Sequence, residues 1–242
     1  MAQAREHGKG ADPAKKAAAE KAIEFVKDGM KLGLGTGSTA EQFVRLLGER
    51  CRAGLKVVGV PTSVVTGKLA DRCGVPLTTL DEAGWLDLTV DGADEVDASL
   101  NLIKGGGGAL LQEKIVANAS DRMIVIADTS KVVEQLGAFP LPVEITPFGW
   151  ETTRAIVEQI VSGFDVEGST STLRLKGDAP FITDEGNFIV DLQLKRIGEP
   201  AELAYALNGI PGVVDNGLFI GIADAAIIAD KDGVCEVMTV EE

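Results

Sequence analysis

The sequence has 242 residues, of which 45% are hydrophobic and 25% charged, and its formal net charge is −14. This is the composition of a globular chain with a sizeable core, and acidity without a Lys/Arg cluster argues against a nucleic-acid partner. No apolar run reaches the ~20 residues that cross a bilayer, so no membrane partner is expected. Residues 1–16 contain no apolar signal core, and the three cysteines form no CxxC pair. We therefore expect a cytoplasmic protein with reduced thiols.

The first half of the sequence alternates predicted helices with predicted strands. Helices are predicted over 12–26, 39–47, 63–72 and 109–118, and strands over 31–34, 55–60, 86–90 and 123–127. Such an alternation predicts a Rossmann-like α/β domain, a largely parallel sheet with helices on its faces.

After residue 137 the predicted order changes to β-α-β-β-α-β. The strands are predicted over 141–146, 172–175, 188–192 and 213–219, and the helices over 152–161 and 200–207. This order is the ferredoxin-like arrangement. Two further strands, 225–228 and 234–240, are predicted to return to the first sheet. The sequence thus predicts a Rossmann-like domain of residues 1–137 and 221–242, interrupted by a smaller α+β domain of residues 138–220.

A glycine-rich turn follows the first predicted strand, with the sequence Gly33-Leu-Gly-Thr-Gly-Ser-Thr-Ala40. Glycines, hydroxyls and helix N-terminal N–H groups suit a phosphate. The predicted substrate-binding residues here are Thr36, Gly37, Ser38 and Thr39. The turn lacks the last glycine of GxGxxG and the GK[ST] of a P-loop, so neither nucleotide motif fits. The alternative is an ordinary turn capped by Ser38 or Thr39.

An acidic segment, Asp91-Gly-Ala-Asp-Glu-Val-Asp97, follows another apolar strand. Loops at the carboxyl ends of parallel strands form the ligand crevice of such sheets. Asp91 and Asp94 are therefore candidates for binding sugar hydroxyls or moving protons, with Gly92 and Ala93 between them as further substrate contacts. Two alternatives remain open at this point, a divalent-cation site and a solvated acidic turn.

A lysine and four glycines, Lys104 to Gly108, precede a predicted helix. Consecutive glycines are entropically costly in a folded domain, and a ligand packed against bare backbone would explain them. We predict that Lys104, Gly105, Gly106 and Gly107 bind substrate and that Glu113, near the start of the helix, faces the same crevice. The alternative is a flexible surface loop.

The proton chemistry of this protein cannot depend on a histidine relay, because the single histidine is His7, near the chain start. Proton chemistry then falls to Asp, Glu, Lys, Cys or the single Tyr205, and Glu113 is a candidate for a carboxylate base. Lys131, after a third apolar strand, could complete an anion site. A solvated surface lysine is the alternative for Lys131. An anion cradle, carboxylates, a lysine and an N–H-rich loop suit abstraction of a proton next to a carbonyl, with stabilisation of an enediolate.

These motifs together resemble type A ribose-5-phosphate isomerase along nearly the whole chain, from about residue 13 to residue 240. The matching stretches are 35–40, 90–95, 103–109, 112–114, 127–131, 139–144 and 210–214. The main departure is a polar extension before Asp12.

The resemblance implies interconversion of D-ribose 5-phosphate and D-ribulose 5-phosphate through a cis-enediolate, in the non-oxidative pentose phosphate branch. It implies that Glu113 is the proton acceptor, that Asp91 and Asp94 assist ring opening and position hydroxyls, and that Lys104 lies near the enediolate oxygens. It also implies phosphate binding by the Gly35–Ala40 turn and Lys131, with Lys15 as a further contact. Finally, it implies no metal, no organic cofactor, and a homodimer or homotetramer.

Two other functions fit part of the pattern. A coenzyme A transferase has a related fold and can carry a nucleophilic glutamate, and a sugar-phosphate sensor could keep the anion cradle without needing Glu113. A ketose product from ribose 5-phosphate would separate an isomerase from both.

Overall fold

The structure, a computed structural model, describes residues 12–239. His7 and the first residues of the polar extension lie outside this range. The helices are α1 Pro13–Ile23, α2 Ser38–Arg52, α3 Val64–Cys73, α4 Leu80–Ala83, α5 Leu110–Asn118, α6 Trp150–Val161 and α7 Pro200–Asn208. In the described range no helix is both long enough and apolar enough to cross a membrane.

The described residues also form a 3-10 turn at Thr129–Lys131 and fifteen short strands. The first eight are β1 Lys31–Leu34, β2 Val58–Pro61, β3 Leu88–Gly92, β4 Glu95–Val96, β5 Leu102–Ile103, β6 Met123–Asp128, β7 Leu141–Ile145 and β8 Thr170–Leu173. The others are β9 Leu175–Lys176, β10 Ala179–Pro180, β11 Phe188–Gln193, β12 Val213–Asn216, β13 Leu218–Phe219, β14 Ala225–Ala229 and β15 Cys235–Thr239.

The main sheet has six strands in the order β15-β14-β6-β3-β1-β2. All neighbours run parallel except β15, which pairs antiparallel with β14 at the edge. Strands β6 and β14 are continuous apolar runs because helices or loops cover both faces. The predicted Rossmann-like fold class is confirmed.

The segment after residue 137 builds a second, antiparallel sheet in the order β12-β7-β11-β8. In chain order this is 4-1-3-2, and with α6 and α7 it is the predicted ferredoxin-like unit, which has its own apolar core. The exact domain boundaries at residues 137 and 220 stay a prediction.

The sequence did not predict a third, small sheet, which joins the Rossmann-like domain to the ferredoxin-like unit. Strand β13 pairs antiparallel with β5, and β5 pairs with β4. The strand predicted over 213–219 is wrong as a single element, because the chain leaves the second sheet at Gly217 and enters the third. A side chain there would collide with the backbone, since a Cβ would lie 2.3 Å from the carbonyl oxygen of Lys104.

Some other helices and strands begin or end at residues different from those predicted. Helix α1 begins where expected, with the Asp12 carboxylate accepting from the Ala14 N–H, but ends at Ile23 rather than 26. Helix α2 continues to Arg52, well beyond the predicted end at 47. The strand predicted over 172–175 is broken at Arg174, which separates β8 from β9.

The topology decides where the site lies. Strands β1, β3 and β6 are adjacent and parallel, so the loops at their carboxyl ends share one edge of the sheet. These loops follow Leu34, Gly92 and Asp128, the last residues of the three strands. Strand β5 delivers the glycine loop to the same edge.

Candidate active site

A buried trio of Asp91, Lys104 and Glu113 forms the centre of this edge. The Lys104 Nζ atom lies 3.0 Å from Asp91 Oδ2 and 3.3 Å from Glu113 Oε1. All three side chains are almost completely buried, with at most 4% of any of them exposed. Two carboxylates therefore share one ammonium in a nearly dry environment, where electrostatic interactions are strong.

Asp91 is the last residue but one of β3 and is fixed by backbone donors. Its Oδ1 atom accepts from the N–H groups of Thr36 at 3.1 Å and Gly92 at 2.7 Å. A Cβ at position 35 would lie 2.2 Å from that oxygen, so the chain passes Asp91 only because residue 35 is glycine. Burial raises the pKa of Asp91, although Lys104 and the two N–H donors pull it down.

Lys104 follows β5 and donates to the carbonyl oxygen of Gly92 at 2.6 Å. Burial by itself would lower the pKa of this lysine. The charges of Asp91 and Glu113 outweigh burial, so the net direction of the pKa shift is upward. Lys104 therefore keeps its positive charge at neutral pH.

Glu113 lies in the first turn of α5, directly after the glycine loop. Its Oε2 atom is buried without a hydrogen-bond partner. Burial, opposed by Lys104 and assisted by Asp91, raises the pKa of Glu113 to about 8. Asp91 has two backbone donors and lies closer to Lys104, so we place the extra proton of this coupled pair on Glu113. Glu113 is therefore a carboxyl group whose pKa lies near neutral pH, and its ionised form can accept a proton.

The glycine loop brings bare backbone to the cavity. Gly105 and Gly108 have φ values of 101° and 79°, in the left-handed region that favours glycine. The Gly106 N–H donates to Asp94 Oδ2 at 2.8 Å, and a Cβ on Gly106 would lie 2.7 Å from Asp94 Oδ1. The loop is therefore a tight backbone support for Asp94, and the alternative of a loose surface loop is not supported.

The hydroxyl of Thr36 belongs to a cluster of hydroxyls under the first turn. Its Oγ1 lies 2.8 Å from Thr62 Oγ1, 2.8 Å from Ser63 Oγ and 3.1 Å from Thr66 Oγ1. The cluster is anchored to backbone, because Thr62 donates to the Leu34 carbonyl oxygen at 3.0 Å. Thr36 is thus oriented by three neighbours that the sequence analysis did not single out, since only the fold brings β1 and α3 together.

The N-terminus of α2 offers an anion site. Gly37, with φ 110°, precedes the first turn, and no side chain caps it. The alternative that Ser38 or Thr39 caps this helix is therefore wrong. Uncapped N–H groups and the positive end of the helix dipole favour an anion. Lys15, on α1, donates to Ser38 Oγ at 2.9 Å, and Lys131 lines the same cavity.

One cavity of about 130 Å³ collects these groups. It is lined by Lys15, Thr36, Gly37, Ser38, Thr39, Gly92, Ala93, Asp94, Lys104, Gly105, Gly106, Gly107, Glu113 and Lys131. Every predicted site residue is in this lining except Asp91, which lies behind Lys104. The structure thus brings the predicted residues together, and their individual roles stay predictions.

The rest of the acidic segment faces away from the cavity. Glu95 accepts from the N–H groups of Gly137 at 2.7 Å and Phe139 at 2.5 Å. Asp97 accepts from the N–H groups of Ser99 and Asn101, at 2.9 and 2.8 Å. Between residues 12 and 239, no group of three His, Cys, Asp or Glu side chains is placed to hold a metal ion. The acidic cluster is therefore divided between the cavity and two structural turns.

The sequence did not predict a role for Asp191, which lies on β11 of the second sheet, or for Arg174 and Phe181, which lie beside that sheet. Arg174 donates to the Gly105 carbonyl oxygen at 2.7 Å, and the Phe181 ring fills the space beside Gly108. No sequence motif marks these residues, because they lie far from the glycine loop in the chain.

Comparison with known proteins identifies the family. Residues 58–233 match the family described as "Ribose 5-phosphate isomerase A (phosphoriboisomerase A)". The chain is 62% identical over 232 residues to the ribose-5-phosphate isomerase A of Ruegeria sp. (strain TM1040), covering 96% of this chain and 88% of that protein.

Two solved structures support the same assignment. Ribose 5-phosphate isomerase from Plasmodium falciparum superposes with a TM-score of 0.90 at 38% identity, covering 96% of this chain and 100% of that chain. A D-ribose-5-phosphate isomerase in complex with phospho-erythronic acid has a TM-score of 0.86 at 42% identity, covering 93% of this chain and 97% of that chain. These matches do not support the coenzyme A transferase and sensor alternatives. The chain therefore belongs to the ribose 5-phosphate isomerase A family and is an aldose–ketose isomerase of ribose 5-phosphate.

Proposed function

We propose that Glu113 carries the proton in this isomerisation. The observation that supports it best is a buried carboxylate with a raised pKa and an unpartnered Oε2, whose Oε1 lies 3.3 Å from the Lys104 Nζ atom. Glu113 takes the C2 proton of the open-chain aldose and returns it to C1. The hydroxyl proton of O2 moves to O1, so the aldehyde becomes an alcohol and C2 becomes the ketone.

The negative charge that develops on the enediolate oxygens needs a positive partner. Lys104 retains its charge beside Asp91 and Glu113 and lines the cavity. We assign it, with the glycine-loop N–H groups, to stabilisation of this charge. Because Asp91 lies behind Lys104, its role is to hold the ammonium in place, and Asp94, which lines the cavity, positions hydroxyls and assists ring opening.

The phosphate belongs at the other end of the cavity. The uncapped N-terminus of α2 supplies N–H groups, and Lys15 and Lys131 supply positive charge. A phosphate fixed there, about five atoms along the sugar from C1, places C1 and C2 toward Glu113. Binding energy from this remote group orients the reacting carbons.

A Glu113→Gln variant tests the assignment. It should fold but lose about 10²–10⁴-fold in kcat, the usual contribution of a positioned general base. It should also fail to wash deuterium from solvent into C1 of the ketose. The matched control is Glu144→Gln, since Glu144 is another buried glutamate with a raised pKa and an unpartnered oxygen, outside the cavity. A Glu113→Gln variant that keeps more than a tenth of the activity would overturn the assignment.

We also propose that the chain acts in the cytoplasm, as a homodimer or homotetramer, without a metal or organic cofactor. The three cysteines are free thiols, as is usual in a reducing compartment. The second sheet, together with α6, α7 and the β9–β10 hairpin, is called the second-sheet unit. Phe148 and Tyr205 are 93% and 85% exposed on this unit, and large exposed aromatic side chains favour subunit contacts. Light scattering during size-exclusion chromatography measures the assembly, and a monomer at micromolar concentration would contradict this part.

A further inference from the structure

The second-sheet unit reaches across to the glycine loop through Arg174. This residue lies between β8 and β9, and its Nη1 atom donates to the carbonyl oxygens of Gly105 at 2.7 Å and Gly106 at 3.3 Å. A guanidinium on a neutral carbonyl is a charge-assisted hydrogen bond, about twice as strong as a neutral one. Arg174 thus binds the loop through its backbone carbonyl oxygens.

Arg174 is itself held in one orientation. Its Nε atom donates to Asp191 Oδ2 at 2.9 Å, and its Nη2 atom donates to Asp191 Oδ1. Asp191 lies on β11, the strand that pairs with β8. Only 15% of the Arg174 side chain and 17% of the Asp191 side chain are exposed. A bidentate pair of this kind fixes the plane of the guanidinium.

The peptide unit between Gly105 and Gly106 connects Arg174 to Asp94 through two hydrogen bonds. Its carbonyl oxygen accepts from Arg174, and its N–H donates to Asp94 Oδ2 at 2.8 Å. No cis peptide bond is present in residues 12–239, so the C=O and N–H of this unit point in opposite directions. Glycines on both sides permit rotation of this unit, and its carbonyl oxygen is fixed by the Gly108 N–H at 3.0 Å together with Arg174. A fixed carbonyl therefore fixes the direction of the N–H.

The carbonyl oxygen of this peptide has two donors, the Gly108 N–H within the loop at 3.0 Å and Arg174 from the neighbouring hairpin. Strands β9 and β10 form a short hairpin between Arg174 and Phe181, closed by the Phe181 N–H on the Arg174 carbonyl oxygen at 2.8 Å. The Phe181 ring occupies the position that a Cβ on Gly108 would take, 2.4 Å from its Cζ atom. Phe181 thus packs on the far end of the loop, and Arg174 is the hairpin residue that donates to the Gly105 carbonyl oxygen.

We propose that Arg174 is a positioning residue for the isomerisation. Held by Asp191, it orients the Gly105–Gly106 peptide, whose N–H holds the Asp94 carboxylate against the cavity. This inference rests on the proposed role of Asp94. It adds a residue of the second-sheet unit to those that the reaction requires.

Steady-state kinetics of Arg174→Met and Arg174→Lys test the proposal. Arg174→Met keeps the aliphatic length but removes every donor, so kcat should fall about 10- to 100-fold, the usual value of a hydrogen bond to a charged group. KM for ribose 5-phosphate should change less than about threefold, because the phosphate cradle is untouched. Arg174→Lys should recover part of kcat, since one ammonium can reach the carbonyl but cannot keep the fork with Asp191.

The matched control is Arg196→Met. Arg196 also pairs with an aspartate, Asp165, in the second-sheet unit but makes no bond to the glycine loop. It should keep kcat within about twofold of wild type. An Arg174→Met variant that is folded by circular dichroism and loses no more kcat than this control overturns the proposal. If Arg174→Met does not fold, Asp191→Asn takes its place and should lower kcat in the same direction.

A double-mutant cycle separates this inference from the role assigned to Asp94. If Arg174 acts through Asp94, Arg174→Met should cost less than about threefold when added to Asp94→Asn. An impaired Asp94→Asn with a full, additive loss from Arg174→Met overturns the inference alone. A nearly wild-type Asp94→Asn overturns the role of Asp94 and, with it, the inference.

Discussion

The protonation state of Glu113 makes activity depend on pH in a direction that the structure specifies. A base works only when ionised, and in the free site burial raises the pKa of Glu113 to about 8. About a tenth of the molecules then carry an ionised Glu113 at pH 7 and about nine-tenths at pH 9. We expect kcat/KM to rise about tenfold between these pH values and then level, because kcat/KM reports groups of the free enzyme.

Two variants test the cause of this shift. The charge of Asp91 raises the pKa of Glu113 and that of Lys104 lowers it. Asp91→Asn should therefore move the midpoint of the kcat/KM profile to lower pH, and Lys104→Met should move it to higher pH, although both variants lose absolute activity. The opposite directions of these two shifts distinguish an electrostatic origin from general damage to the site.

The assay is initial-rate conversion of ribose 5-phosphate to the ketose at substrate concentrations well below KM, from pH 6.5 to 9.5. The lower limit keeps the substrate phosphate mostly dianionic, since the second pKa of a phosphate is about 6. Glu113→Gln supplies the baseline. A wild-type profile that is flat over this range, or two variant midpoints that move together, would refute the assignment of the rise to Glu113.

Chelator-treated protein should keep full activity, because Lys104 and the glycine-loop N–H groups already supply the electrophilic stabilisation that a metal would provide; loss on chelation that a divalent cation restores would contradict this. Lys104→Ala should mainly depress kcat and Lys131→Ala should mainly raise KM, because only Lys104 lies beside Glu113, where charge develops in the transition state. Each substitution should reduce the free energy of substrate or transition-state binding by about 1.5–3 kcal/mol. If Lys104→Ala mainly raises KM and Lys131→Ala mainly depresses kcat, the sugar lies the other way round in the cavity.

Sequence patterns alone predicted the alternation of strands and helices, the ferredoxin-like order after residue 137 and the loops that carry the site. They could do so because these signals are local. Apolar runs such as β6 and β14 indicate buried strands, and four consecutive glycines indicate a backbone that something approaches closely. The position of Asp91 at the end of an apolar strand predicted the sheet edge at which it would lie.

The tertiary structure decided the relations between these segments. That Lys104 lies between Asp91 and Glu113, and that Asp91 is behind it and not at the cavity surface, depends on strand order and on distances of a few ångströms. A spacing along the chain cannot encode such distances. The pKa of Glu113 likewise follows from burial, which only the packed molecule has.

The contribution of the second sheet was decided entirely by the fold. Arg174 meets Gly105 across 69 residues of chain, and Thr36 meets Thr62 across 26. Neither contact is visible in the periodicity or composition of the sequence. Each one depends on how two segments that are distant in the chain pack against each other. The sequence by itself thus predicted which residues gather at the cavity, whereas tertiary packing, of the first sheet and of the second sheet on the glycine loop, determined what holds them in place.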